Sequence, residues 1–144
     1  MSRFERTCWR LAVAEATLLL LLANFFIRFI RFRFWRRSLG VMISRPESMS
    51  SNNRPLSQDC SVPLAIERAC QLFSSKPNCL PRAMAAQWMF RRRAQASRLV
   101  FGIARSNTRD ATSDLHAWVE INNRPVIGGY PSGIYIPLFA MALS

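Results

Sequence analysis

The spacing of apolar residues changes period at Gln95, and this switch restricts the chain to helices followed by a sheet. In PLAIERACQLFSS, from Pro63, the residues Leu64, Ile66, Ala69, Cys70, Leu72 and Phe73 fall mostly on one side of a helix of about three turns, with the proline tolerated in the opening turn. KPNCLPRAMAAQWMFRRR reads as a second helix beginning near Asn78, a residue suited to the N-cap. Pro81 sits within its first turn, and Ala, Met, Gln and Arg propagate it. Beyond Gln95, SRLVFGIARS (97 to 106) has a continuous apolar centre at Leu99, Val100, Phe101 and Ile103, as in a strand covered on both faces. DLHAWVEI (114 to 121) alternates His116, Trp118 and Glu120 with Leu115, Ala117, Val119 and Ile121. Asn122-Asn123 is a turn signal, so residues 114 to 128 read as a hairpin, and GIYIPLF (133 to 139) supplies a last short strand. The expected class is α+β, with helices packed on a small antiparallel sheet.

Residues 44 to 62, SRPESMSSNNRPLSQDCSV, are rich in Ser, Asn and Pro and lack an apolar period, which marks a linker. It separates an N-terminal segment, residues 1 to 43, from a core expected over residues 63 to 144. The segment is dominated by LAVAEATLLLLLANFFI, residues 11 to 27, an apolar run broken mainly by Glu15, Thr17 and Asn24 and of borderline length for spanning a bilayer. IRFIRFRFWRR follows, with arginines interleaved among Phe29, Ile30, Phe32, Phe34 and Trp35, a composition suited to an interfacial segment whose cations meet anionic headgroups. A hydrophobic helix packed on the core or on a partner protein fits the same residues. No small-residue cleavage site follows, which argues against a secretory signal.

The 144 residues fit one domain, and 20 Lys+Arg against 8 Asp+Glu give a formal charge of +12 that favours anionic partners. Nucleic acid is disfavoured among these, because Arg91, Arg92 and Arg93 stand without a stacking-aromatic motif or a groove-reading helix. They read as a solvated helix end, favourable to the C-terminal dipole. Cysteines at 8, 60, 70 and 79 form no C-x-x-C pair and no Cys/His cluster, so no metal, cofactor or redox motif is implied, and a reducing cytoplasmic setting is the simplest reading.

Among the cysteines, Cys79 alone has an activating place. A helix N-terminus stabilises a thiolate through its unpaired N–H groups and partial positive charge. Cys60 lies in the linker, Cys70 on an apolar helix face and Cys8 before the apolar run, and each reads as an unreactive thiol. His116 is the only histidine, so any imidazole base must be this residue.

CLPRAMAAQWMFRRRAQASRLVFGIAR (79 to 105) and DLHAWVEINNRPVIGGY (114 to 130) resemble the leader peptidases of lasso-peptide biosynthesis, small members of the transglutaminase-like cysteine protease superfamily. The resemblance rests on Cys79-Leu80, the basic cluster Arg91 to Arg93, Arg98-Leu99-Val100-Phe101-Gly102, His116-Ala117-Trp118-Val119-Glu120 and Gly128-Gly129, and covers roughly residues 60 to 139. It implies a papain/transglutaminase-like core and a cysteine endopeptidase with Cys79 as nucleophile and His116 as base. That enzyme would remove the leader from a lasso-peptide precursor and free the core N-terminus for macrolactam cyclisation, a step of antibiotic biosynthesis. The implied partners are the precursor leader, a separate leader-recognition protein and an ATP-dependent lasso cyclase.

The chain departs from this pattern at one place. The family's orienting acid lies near twelve residues after the histidine, where this sequence has Gly128. Glu120 shares a face with His116 but sits about 13 Å along the strand, whereas Asp114, about 6.6 Å away, is the nearby carboxylate and the candidate third residue. A backbone carbonyl or a water could also hold the imidazole. Two other readings stay open: transglutaminase-type acyl transfer through the same thioester, and a non-catalytic adaptor that binds an acidic peptide or lipid.

Overall fold

The computed structural model describes residues 3–44, 61–104, 115–128 and 135–143. Four helices and five strands follow one another as α1 (Arg3–Phe29), α2 (Phe32–Leu39), β1 (Val41–Ile43), α3 (Ser61–Cys70), α4 (Cys79–Arg92), β2 (Ser97–Ala104), β3 (Leu115–Ile121), β4 (Arg124–Ile127) and β5 (Tyr135–Leu143). The strands form one antiparallel sheet in the order β1-β5-β2-β3-β4. This is the α+β arrangement that the change of period at Gln95 predicts. The β3–β4 hairpin closes through Asn122 and Asn123, whose φ angles of 50° and 62° are the left-handed pair that a two-residue turn needs and that Asn tolerates.

The helices cover one face of the sheet. Ala83 to Phe90 of α4 are buried without interruption, and α4 packs against β2, β3 and β4 on one side and against α1 and α3 on the other. A helix apolar all round is what a central position requires. Gln87 is the polar exception and is fully satisfied: its Nε2 donates to the carbonyls of Leu39 (2.9 Å) and Met141 (3.0 Å), and its Oε1 accepts from Ser97 Oγ (2.9 Å). One side chain thus ties the end of α2 to β5 and β2.

The N-terminal segment is built into this body. α1 buries Ala12, Ala16, Leu20 and Ala23 against α3 and α4, a spacing of three and four residues that defines one helical stripe. Small residues there let the helices approach closely. Glu15 pairs with Arg93 (3.0 Å) and Arg92 (3.3 Å) at the end of α4, so the carboxylate inside the apolar run has an ionic partner. The basic cluster is therefore part of a helix contact and not only a solvated helix end: Arg91 also donates to the carbonyl of Ser38 at 2.8 Å. α2 places Trp35 and Leu39 in the core, and β1 adds an edge strand beside β5, neither of which the Arg/Phe alternation of residues 28 to 37 reveals.

Other details differ from the pattern. Leu64 and Leu72 are exposed, because the packed stripe of α3 runs through Val62, Ala65, Ile66, Ala69 and Cys70 instead. β5 starts at Tyr135 and continues to Leu143, past the expected end at 139. β2 is covered on both faces only at its centre, where Leu99 meets the helical core and Val100 packs with Trp118 and Ala140 on the opposite face, while Ile103 is exposed. Most of the segment read as a linker, including Cys60, lies outside the described residues, as do Asp114 and Gly129.

Candidate active site

Cys79 is the first residue of α4 and is half-buried, packed with Leu80 against the main core. Asn78 occupies the N-cap with extended backbone (φ −63°, ψ 174°), but its side chain makes no capping hydrogen bond. Pro81 brings no N–H of its own. The start of α4 therefore keeps backbone donors and the positive end of the helix dipole beside the cysteine, and no acidic residue stands in its first turn.

The other cysteines differ in environment. Cys70 is buried at the end of α3, and loss of hydration pushes its thiol above the ordinary range, with the Arg82 guanidinium opposing the shift. Cys8 is exposed on α1.

His116 is the second residue of β3 and is half-buried. Alternation sends Ala117, Val119 and Ile121 into the core that α4 enters, and His116, Trp118 and Glu120 to the other face, where Trp118 meets Val100 and Ala140. α4 lies against β3, so the helix that begins at Cys79 and the strand that carries His116 are packed neighbours. Among the described residues, no hydrogen bond joins the two side chains directly.

The imidazole is oriented by the backbone of β4's end. His116 Nε2 lies 2.9 Å from the carbonyl oxygen of Gly128, and because a carbonyl can only accept, Nε2 carries the hydrogen. In the neutral ring Nδ1 is then the basic nitrogen. Gly128 is the residue at the position where the resemblance calls for an acid, so an orienting acceptor is present there as a main-chain oxygen. Its φ of +71° suits glycine, and a Cβ at this site would stand 3.0 Å from the carbonyl oxygen of Ala117.

A second set of contacts supports the ring from along the strand. Trp118 stacks near His116, with ring centroids 6.0 Å apart and planes 23° from parallel, and its indole N–H donates to Glu120 Oε1 at 2.7 Å. Glu120 Oε2 in turn accepts from Arg98 Nε (2.8 Å) and Nη2, and Arg98 Nη2 reaches Asn123 Oδ1 at 2.9 Å. Glu120 is thus bonded to Trp118 and Arg98, as its distance along the strand from His116 predicts. Gly102, paired with His116 across β2 and β3, makes room for this indole: a Cβ there would lie 2.6 Å from Trp118 Cη2. The sequence allows a backbone carbonyl to hold the imidazole without pointing to that of Gly128, and it singles out Arg98 without its partner Glu120. The glycines that follow the hairpin, and an arginine paired in register with Glu120, are the signals that could have located them.

A family model described as the transglutaminase-like superfamily matches residues 19–139. No curated protein and no solved structure matches the chain. The matched span includes the latter part of α1, α2 and β1 as well as the cysteine helix and the histidine strand, so it takes in the N-terminal elements together with the helices they pack against. The chain belongs to the transglutaminase-like superfamily.

Proposed function

We propose that this protein is a cysteine endopeptidase that removes the leader from a lasso-peptide precursor, with Cys79 as nucleophile and His116 as general base and acid. The observation that carries the reading is the 2.9 Å bond from His116 to Gly128, which fixes the tautomer a catalytic imidazole needs at the position where the family pattern asks for an acid. A carbonyl orients the ring without itself carrying a formal charge. Asp114 retains its candidacy as a further support of the imidazole.

In the proposed reaction His116 Nδ1 takes the thiol proton, and the Cys79 thiolate attacks the carbonyl carbon of the last leader residue. In this reading the backbone N–H groups at the open start of α4 receive the negative charge that develops on that oxygen. The C–N bond then breaks, and the imidazolium proton passes to the departing amine, which leaves as the free N-terminus of the core peptide. Water attacks the thioester, giving its proton to His116, and the leader departs with a carboxylate as the thiol is restored. Alternation puts His116 on the sheet face away from the core that α4 enters, so this reading requires the ring to meet the Cys79 thiol around the end of β3 in the substrate complex.

The precursor leader, a separate leader-recognition protein and an ATP-dependent cyclase are the partners of this reading, and the cytoplasm is its setting, with α1 as the part able to meet a membrane. Acyl transfer is the rival within the same family, because an amine in place of water would resolve the same thioester. Mass spectrometry of the leader product after incubation with precursor and recognition protein separates them. A leader ending in a free carboxylate supports the peptidase, whereas a leader joined through an amide to an added amine supports transfer.

A further inference from the structure

α1 has two apolar faces, and only one of them is used. Ala12, Ala16, Leu20 and Ala23 are in the core, yet Phe4, Leu11, Leu18, Leu22, Phe25 and Phe29 are exposed, from 40% at Leu22 to 77% at Phe4. Phe4, Leu11, Leu18 and Phe25 repeat every seven residues, close to two turns, so they form one continuous stripe along a helix about 40 Å long. An uncovered stripe of that length marks a docking surface.

Its charge surroundings select the occupant. Arg3, Arg10 and Arg28 are exposed and separated by seven and eighteen residues, two and five turns, which makes them a row parallel to the apolar stripe. Arg31, Arg33, Arg36 and Arg37 extend the positive rim across α2 beside the exposed Phe32 and Phe34, and Arg33 stacks over Phe34 with its guanidinium 4.7 Å from the ring centre. Against these seven arginines stand two acidic residues of α1: Glu5 in its exposed first turn, and Glu15, which is bound to Arg92 and Arg93. A second copy of the chain would bring like charge against like charge at a formal +12 each.

We propose that α1 lies flat in the headgroup region of an anionic lipid bilayer, its Leu/Phe stripe immersed and its arginines on lipid phosphates, while its opposite face stays in the protein core. α1 is long and apolar enough to cross a membrane, but crossing would strip Ala12, Ala16, Leu20 and Ala23 from α3 and α4 and break the Glu15 ion pairs. An in-plane helix keeps both sets of contacts. The peptidase would then work at the membrane surface, next to any machinery that takes the product onward. This inference builds on the proposed cytoplasmic setting but not on the chemistry, so it is tested on the full-length Cys79→Ala protein as well as on the wild type.

The experiment is flotation with phosphatidylcholine vesicles, with and without roughly one phosphatidylglycerol in four. The expected result is binding to the anionic vesicles, release by alkaline carbonate, and a loss of roughly fivefold in affinity for each arginine removed in Arg10→Gln and Arg28→Gln. Leu18→Glu with Phe25→Glu should abolish binding while circular dichroism and the thermal midpoint stay as in the parent, because both positions are solvent-facing. Equal, carbonate-resistant binding to both vesicle types would mean that α1 spans the bilayer and would overturn the proposal. So would absence of lipid binding, including the case in which the stripe mediates self-association that Leu18→Glu disrupts. An inactive wild type that still floats would contradict the peptidase reading alone.

Discussion

His116 donates from Nε2 to the main-chain oxygen of Gly128, at 2.9 Å, so a backbone carbonyl helps to orient the one imidazole of this chain. A carbonyl is fixed by the hairpin that carries it. Its position depends on the φ of +71° at Gly128 and on the shift of register between Val119 and Glu120 on the β3–β4 pair.

Placing an acid at the family's position should therefore fail. Gly128→Asp would put a side chain on a left-handed residue and its Cβ 3.0 Å from the Ala117 carbonyl oxygen, and is expected to destabilise the protein by about 1–3 kcal/mol. Activity should fall with it, since the hairpin that carries the carbonyl must shift. Chemical denaturation together with a cleavage assay checks both. A variant as stable as the parent and faster would show that an acid at this position replaces the carbonyl.

Glu120 shares a face with His116 but serves stability. Glu120→Gln leaves the Arg98 guanidinium, little exposed, without its carboxylate, and should cost about 2–4 kcal/mol. The Trp118 indole keeps an amide oxygen to bond, so turnover measured well below the unfolding temperature should remain within about tenfold of the parent. Turnover lost from a fully folded Glu120→Gln protein would place that carboxylate in the chemistry instead.

Cys70 supplies a pH dependence. Burial raises its thiol pKa in the folded protein, so the native state holds that proton more tightly than the unfolded chain does. The resulting stability is complete below the ordinary thiol range of about 8.5, and is lost as pH rises through the raised value. Unfolding free energy should thus decline in mildly alkaline solution, and Cys70→Ala should flatten the decline at the cost of some packing. A slope unchanged by the substitution would locate the titration elsewhere. In the parent protein at neutral pH, iodoacetamide should modify Cys79 ahead of the exposed Cys8 and spare the buried Cys70.

The two central helices, the β3–β4 hairpin and the strand at β2 are legible in the sequence because each satisfies a local rule: period, cap position or turn chemistry. Cys79 and His116 could be singled out for the same reason, one by its place at a helix start and the other by being the sole imidazole. The contributions that escaped are non-local. Trp35 and Leu39 lie within an arginine-rich stretch whose alternation resembles an interfacial segment, and only the sheet edge at β5 and the Gln87 contacts show that it is half core. Glu15 reads as an interruption of an apolar run until α4 brings Arg93 to it. The orienting oxygen at Gly128 was invisible because every residue has a carbonyl, and only tertiary pairing tells which one faces the histidine.

The central claim is tested most directly by the single-turnover rate of leader removal for Cys79→Ala, His116→Ala and the double variant, each shown to be folded and each given precursor and recognition protein. The account predicts that each single change lowers the rate at least about a thousandfold and that the double variant is no slower than either, since nucleophile and base act as a unit. Cleavage that persists in folded Cys79→Ala at the parental rate would contradict it.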